Sequence, residues 1–367
     1  MTIASAIQTK QQQVVAAYTA CNGKGATIPQ TQDLTNLATC IASIQTGGGG
    51  DHGGEYAVTV IDYDGSVIMQ DHLDTGATFT LPDAPTHSRL TFQDWAAPVN
   101  ITNNTITVGK SDITIGAVYT PTSGVNEFDI VLTPVTGKTV NLRMIGSRDW
   151  GDGTTDSLTS HTYSDYGEYT IKCGGTFDTM ATNKRLFGEQ NVSPWNTTWN
   201  WICKNAFFAS TSVPKYVLNS HYSLKNITFP NNTTIIEGPY SNYGLNTIII
   251  PNTVTTVGPL QQNPFPNIVL GKSVSNIVDY AFWGSYTNCT KIVFPASITT
   301  IAANSFSGDY NILEYNFTNC TSIPTLSNTN AFYEINKIAK IKVPSSLVTS
   351  WKSATNWSTY SSNIEGV

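Results

Sequence analysis

Asn226-Ile-Thr-Phe-Pro230, Asn246-Thr-Ile-Ile-Ile-Pro251, Asn267-Ile-Val-Leu-Gly271, Lys291-Ile-Val-Phe-Pro295 and Lys340-Ile-Lys-Val-Pro344 are variants of one phrase. The closing Pro or Gly falls at positions 230, 251, 271 and 295, at intervals of 21, 20 and 24. Leu313-Glu-Tyr-Asn-Phe317 is a degenerate copy inside the longer gap before Pro344. A second signature follows each phrase: Thr234-Ile-Ile-Glu-Gly238, Val254-Thr-Thr-Val-Gly258, Val274-Ser-Asn-Ile-Val278 and Ile298-Thr-Thr-Ile-Ala302. Two copies run on to an aromatic, Tyr280-Ala-Phe282 and Asn304-Ser-Phe306. Each unit reads as a strand, a turn at Pro, a second short strand, and a turn carrying a buried aromatic. One such unit cannot bury its apolar face alone, so the units must stack into a solenoid.

These phrases resemble the BspA-like leucine-rich repeat, which implies a surface-exposed binding solenoid of bacterial or phage-virion type. Asn205-Ala-Phe-Phe208 hints at an earlier start, and the tail bearing Leu347, Trp351, Trp357 and Tyr360 resembles a capping helix. Residues 177–367 are therefore expected to form the repeat domain with its cap.

Composition agrees with a mainly β chain. Charged residues are 12% of 367, well below the usual quarter, while Thr, Ile, Val and Tyr are abundant. The net charge of −6 argues against a phosphate-binding surface, so no nucleic-acid partner is expected. No span of about 20 apolar residues occurs, so no membrane insertion is expected.

Upstream, the pattern switches to period two over residues 55–121. Val58-Thr-Val-Ile-Asp-Tyr-Asp-Gly65, Gly76, Pro82-x-x-Pro85, Leu90-Thr-Phe-Gln-Asp-Trp95 and Ile115-Gly-Ala-Val-Tyr119 resemble the Listeria–Bacteroides (internalin B-type) repeat. That likeness implies a small β-grasp-like module. Over residues 122–176, Phe128, Ile130 and Leu132 alternate ahead of Asp149-Trp-Gly-Asp-Gly153, His161-Thr-Tyr163 and Gly167-Glu-Tyr-Thr-Ile171. This resembles the polycystic-kidney-disease (PKD) domain and implies an Ig-like sandwich with Trp150 as core anchor, shortened to about 50 residues.

Residues 1–46 read as a helical hairpin, with Ile3, Ile7, Val14 and Tyr18 on one stripe and Leu34, Leu37 and Ile41 on the next. Such a small unit either packs on the following module or oligomerises and docks into a larger assembly. Residues 47–54 read as a Gly-rich linker. A Cys21–Cys40 bridge stays open; the other four cysteines read as buried thiols.

No catalytic constellation is visible: the five His form no HExxH pair, and no P-loop or nucleophile elbow occurs. The chain reads as non-enzymatic, without cofactor or metal; Asp62, Asp64, Asp149, Asp152 and Asp165 suit turns better than calcium. Binding is the remaining class. Trp195, Trp199, Trp201, Trp283, Tyr286 and Tyr310 are candidate ligand-stacking residues, with core packing as the competing role. The chain shows neither an apolar leader core nor a wall anchor. An adhesin would carry both, whereas a virion protein needs neither. The expectation is thus an exterior phage appendage, of tail or head fibre type. It would assemble through its N-terminus with other virion proteins and itself, and hold a host glycan or protein through its distal repeats. The alternative is a bacterial cell-surface adhesin.

Overall fold

The computed structural model describes residues 14, 52–177, 186–187, 202–214, 217–238, 242–284 and 288–367. The helical hairpin expected over residues 1–46 lies outside the described residues, apart from Val14 alone. No described helix is long and apolar enough to cross a membrane.

The first β module begins in the expected linker. His52–Gly54 is tied down: the Gly54 N–H donates to the His72 carbonyl at 3.0 Å, and the His52 N–H to Asp71 at 3.0 Å. A side chain at Gly54 would collide with the Leu73 backbone, which explains glycine there. Strands β1 (Tyr56–Ile61) and β2 (Val67–Leu73) form an antiparallel hairpin. Its turn holds Gly65 at φ 86°, a region that favours glycine. Strands β3 (Thr78–Thr80) and β5 (Thr105–Thr107) pair as a small separate sheet. The main sheet runs β2-β1-β6-β4, with β4 at Leu90–Ala96 and β6 at Ile113–Pro121. Val58, Val60, Ile115, Ala117 and Tyr119 point to the module's own core with Phe79, Leu90 and Trp95. The opposite face supplies Ile61, Ala96 and Val118, which pack on Ile249 and Val269 of the repeat array. Central β6 is therefore buried on both faces, as a continuous apolar run demands.

The second module is built on β7 (Asn126–Leu132), whose alternating Phe128, Ile130 and Leu132 are all buried. One edge of β7 pairs antiparallel with Gly167–Cys173, and the other with Cys203–Phe207. Cys203–Phe207 in turn pairs parallel with Asn226–Thr228, the first quoted phrase. The result is one six-stranded sheet that runs from the second module into the repeats. The sheet built on β7 thus runs past residue 176 into the repeats. Leu186 and Phe187 belong to the same core, as do Ile202, Phe208 and the repeat residues. Trp150 is fully buried at the far side; its Nε1–H donates to Asp156 at 2.9 Å, and its carbonyl accepts from the Tyr163 hydroxyl at 2.8 Å. A solenoid exposes an apolar end unless something covers it; here the second module covers the N-terminal end.

The repeats stack in parallel, as the phrases predict. Ile235–Ile236, Thr256–Val257, Asn276–Ile277, Thr300–Ile301 and Thr325–Leu326 form one five-stranded parallel sheet. On another side, Thr247–Ile249 pairs with Asn267–Val269, and Lys291–Val293, Glu314–Asn316, Lys340–Val343 and Ile364–Gly366 form a four-stranded parallel sheet. The degenerate copy is a full rung, with Tyr315 in the column that holds Ile292 and Ile341. The marker residues start turns: the carbonyls of Pro230, Pro251, Gly271 and Pro295 accept from the N–H three residues on, at 3.0–3.2 Å. At the C-terminal end, helix Val348–Ser353 and the following 3-10 turn bury Trp351 and Trp357. Trp357 donates to the Pro324 carbonyl at 2.8 Å, so the cap is hydrogen-bonded onto the last rungs.

Candidate binding surface on the repeat edge

The third side of the array is a ribbon of turns, and its register is fixed by backbone hydrogen bonds between rungs. The N–H groups of Leu260, Phe282 and Phe306 donate to the carbonyls of Ala281, Ser305 and Ala331 at 2.6–2.8 Å. Leu260, Phe282, Phe306 and Phe332 therefore form one inward column. Within it the three phenyl rings stack at 5.2 Å, within 10° of parallel.

One residue beyond this column stand Gln261, Trp283, Ser307 and Tyr333. Two residues beyond it stand Gln262, Gly284, Gly308 and Glu334, all left-handed with φ between 55° and 79°. At Gly284 and Glu334 that conformation reverses the chain with the preceding aromatic outside, whereas Ser307, before Gly308, is buried. Trp283 and Tyr333 are accordingly 37% and 55% exposed. Tyr280 precedes the inward column by two residues, is left-handed itself, and meets Trp283 edge-on at 6.0 Å. Four residues beyond the column comes Tyr310, 58% exposed. Its hydroxyl donates to Glu334 at 3.2 Å, and its carbonyl accepts from the Asn336 amide at 2.9 Å. The Glu334 charge and that hydrogen bond push the Tyr310 phenol above its ordinary value. Nearer the N-terminal end, His221, Asn242 and Asn263 form a buried column linked by side-chain hydrogen bonds at 2.5 and 3.0 Å. Tyr222 and Tyr243 follow it and lie 5.1 Å apart, tilted by 35°.

Large aromatics in such numbers are normally buried, so a row of them exposed on one edge is a candidate binding surface. Of the expected stacking residues, Trp283 and Tyr310 lie on this edge. Trp195, Trp199, Trp201 and Tyr286 lie outside the described residues, as do Ile3, Ile7, Tyr18, Leu34, Leu37 and Ile41. Tyr243, Tyr280 and Tyr333 were missed. The signal for Tyr243 was its interval of 21 from Tyr222; that for Tyr333 was Asn330-Ala-Phe332, a third copy of the aromatic signature.

The acidic residues weighed as calcium ligands are engaged in turns. Asp64 accepts from the Ser66 N–H at 2.9 Å, Asp149 from Gly151 at 2.9 Å and Asp152 from Thr154 at 3.0 Å. Burial opposes ionisation of Asp152, but hydrogen bonds from His161 and Thr154 outweigh it and hold its carboxyl below the ordinary value. Among the described residues, no three His, Cys, Asp or Glu side chains gather as a metal site would require. Cys173, Cys203, Cys289 and Cys320 are buried free thiols; burial pushes Cys289 up to about 11 and Cys320 to about 12.

The strand face offers less for a ligand. The first module covers its early rungs, and the later ones carry charges that neutralise each other. Lys291 bridges Asp112 and Glu314 at 3.0 and 3.1 Å, while Lys342 pairs with Glu314 at 2.9 Å. A cleft of about 700 Å³ opens beside β4, lined by Phe92, Trp95, Pro82, Pro85, His87 and Asn104 among others.

Residues 204–266 and 260–362 match the BspA type leucine rich repeat region, in six copies. The rungs described above are those repeats, and the solenoid is a BspA-type leucine-rich repeat region. No curated protein and no solved structure gives a significant match to the chain. A repeat region of this type points to a surface-binding or adhesin-like role.

Proposed function

We propose that the protein is a non-enzymatic surface-binding protein that engages its ligand through the aromatic edge of the repeat region. The observation that carries this reading is the row Tyr243, Tyr280, Trp283, Tyr310 and Tyr333, exposed along one edge of a BspA-type array, with Trp283 and Tyr333 at the same rung position. The non-enzymatic part rests on the sequence, whose five His form no HExxH pair and which shows no P-loop or nucleophile elbow.

The more specific form of the proposal is an exterior appendage of a phage particle. In that form residues 1–46 attach to other virion proteins or to further copies of the chain, and the distal repeats meet the host surface. What supports it is the modular order alone: an apolar-striped N-terminal segment, a Gly-rich stretch, then one long body ending in the repeats. The alternative is a bacterial cell-surface adhesin. In neither form is a cofactor, nucleic acid or membrane insertion part of the proposal.

Two measurements test this. Fluorescently labelled protein titrated onto intact bacterial and animal cells should bind at least one cell type saturably; binding to none would remove the surface-binding reading. Mass spectrometry with immunogold labelling should place the chain in purified particles; label on the bacterial envelope instead would remove the virion form and leave the adhesin.

A further inference from the structure

We propose that the aromatic edge takes an uncharged, extended polysaccharide laid along the axis of the array; this rests on the reading of that edge as the binding surface. Spacing is the first argument. Trp283 and Tyr333 occupy the same position on rungs separated by the Ser307 rung. Parallel rungs repeat at about 4.8 Å, so the two rings stand about 10 Å apart along the axis. A β-linked pyranose chain with two-fold alternation presents the same C–H-rich face at every second sugar, on the order of that distance. An extended peptide returns a side chain to one face every ~7 Å and does not match.

Polarity is the second argument. The groups hydrogen-bonded into this stretch are amides and carboxylates: Glu334 accepts from Tyr310, Asn336 donates to its carbonyl, and Asn304 reaches Asp279 at 3.5 Å. Such groups exchange hydrogen bonds with sugar hydroxyls. The Glu334 and Asp279 carboxylates outnumber Lys337, the one cation of these turn segments, and repel carboxylated or sulfated chains, which favours uncharged sugars. Length is the third argument. The Tyr222–Tyr243 pair extends the aromatic row toward the N-terminal end of the array, so more than one disaccharide can be covered.

The test is an array of neutral and anionic oligosaccharides of graded length, probed with the full chain. Native protein should retain neutral β-linked chains, more tightly as they lengthen from two sugars to six, and hold anionic ones at least about tenfold more weakly. Trp283→Ala and Tyr333→Ala should each lower retention about tenfold, with thermal midpoint and far-UV circular dichroism unchanged. Retention of anionic chains only, of no chain, or of neutral chains regardless of both substitutions would overturn the proposal. Periodate treatment of target cells separates it from the parent reading. Cell binding that survives periodate but falls with Trp283→Ala means a protein ligand on the same edge. Cell binding indifferent to Trp283→Ala and Tyr333→Ala removes both readings.

Discussion

Glu314 is the residue on which the strand-face charges converge. Burial opposes its ionisation; hydrogen bonds from Asn316 and Lys342 and the charge of Lys291 outweigh it and hold its carboxyl below the ordinary 4.5. A carboxyl lowered on folding stabilises the fold above its unfolded value, and that contribution is lost as pH falls through the folded value. Glu314→Gln should therefore be less stable than the native chain at pH 7, with the gap closing as pH drops below about 4.5. Urea unfolding at several pH values reads this out; a gap that stays constant with pH would contradict it. Single residues were unevenly legible in the sequence. Trp283 and Tyr310 follow recognisable signatures, so their outward position could be expected. Glu334 and Gln262 could not be expected to be left-handed, since neither residue type favours that region; rung-to-rung hydrogen bonding imposes it.

At the scale of the element, the inward phenyl column is what makes the turns a fixed edge. Phe306 stacks between Phe282 and Phe332, and meets Phe294 and Tyr315 edge-on at 5.7 and 5.4 Å. Replacing it with Ala removes a fully buried ring from a close-packed stack, which should cost about 3–5 kcal/mol. Denaturant titration should show a lower midpoint with an unchanged slope; a loss under about 1 kcal/mol would mean the column is not close-packed. The rungs themselves were readable because a parallel stack forces each copy to repeat its apolar positions. Phe317 was seen as part of a degenerate copy because it keeps the inward position of Phe294, on which it stacks at 4.1 Å. The copy ending in Phe332 was lost because the phrase ahead of it, Leu313-Glu-Tyr-Asn-Phe317, lacks the closing Pro or Gly that marks the other rungs.

Across the whole molecule, the modules read in the sequence as a string are joined by contacts with no periodic trace. Ile249 packs so closely on β6 that a Cβ at Gly116 would lie 2.6–2.8 Å from its side chain. Asn252 donates to the Trp95 carbonyl at 2.8 Å and accepts from the Ala97 N–H at 3.3 Å. Arg89 of the first module pairs with Glu127 at 2.6 Å and Asp129 at 2.8 Å, both on β7. Such pairings join residues far apart in the chain, so local pattern could suggest the parts but not their docking. With the first module over the early strand face and the second module closing the N-terminal end, the turn edge remains as the long side that displays aromatics. The claim that this edge does the binding is tested most directly by titrating native protein and the double variant Trp283→Ala/Tyr333→Ala onto intact cells. The account predicts saturable binding by the native chain and a loss of at least about tenfold in the variant, at equal thermal stability. Equal binding by the two proteins would contradict it.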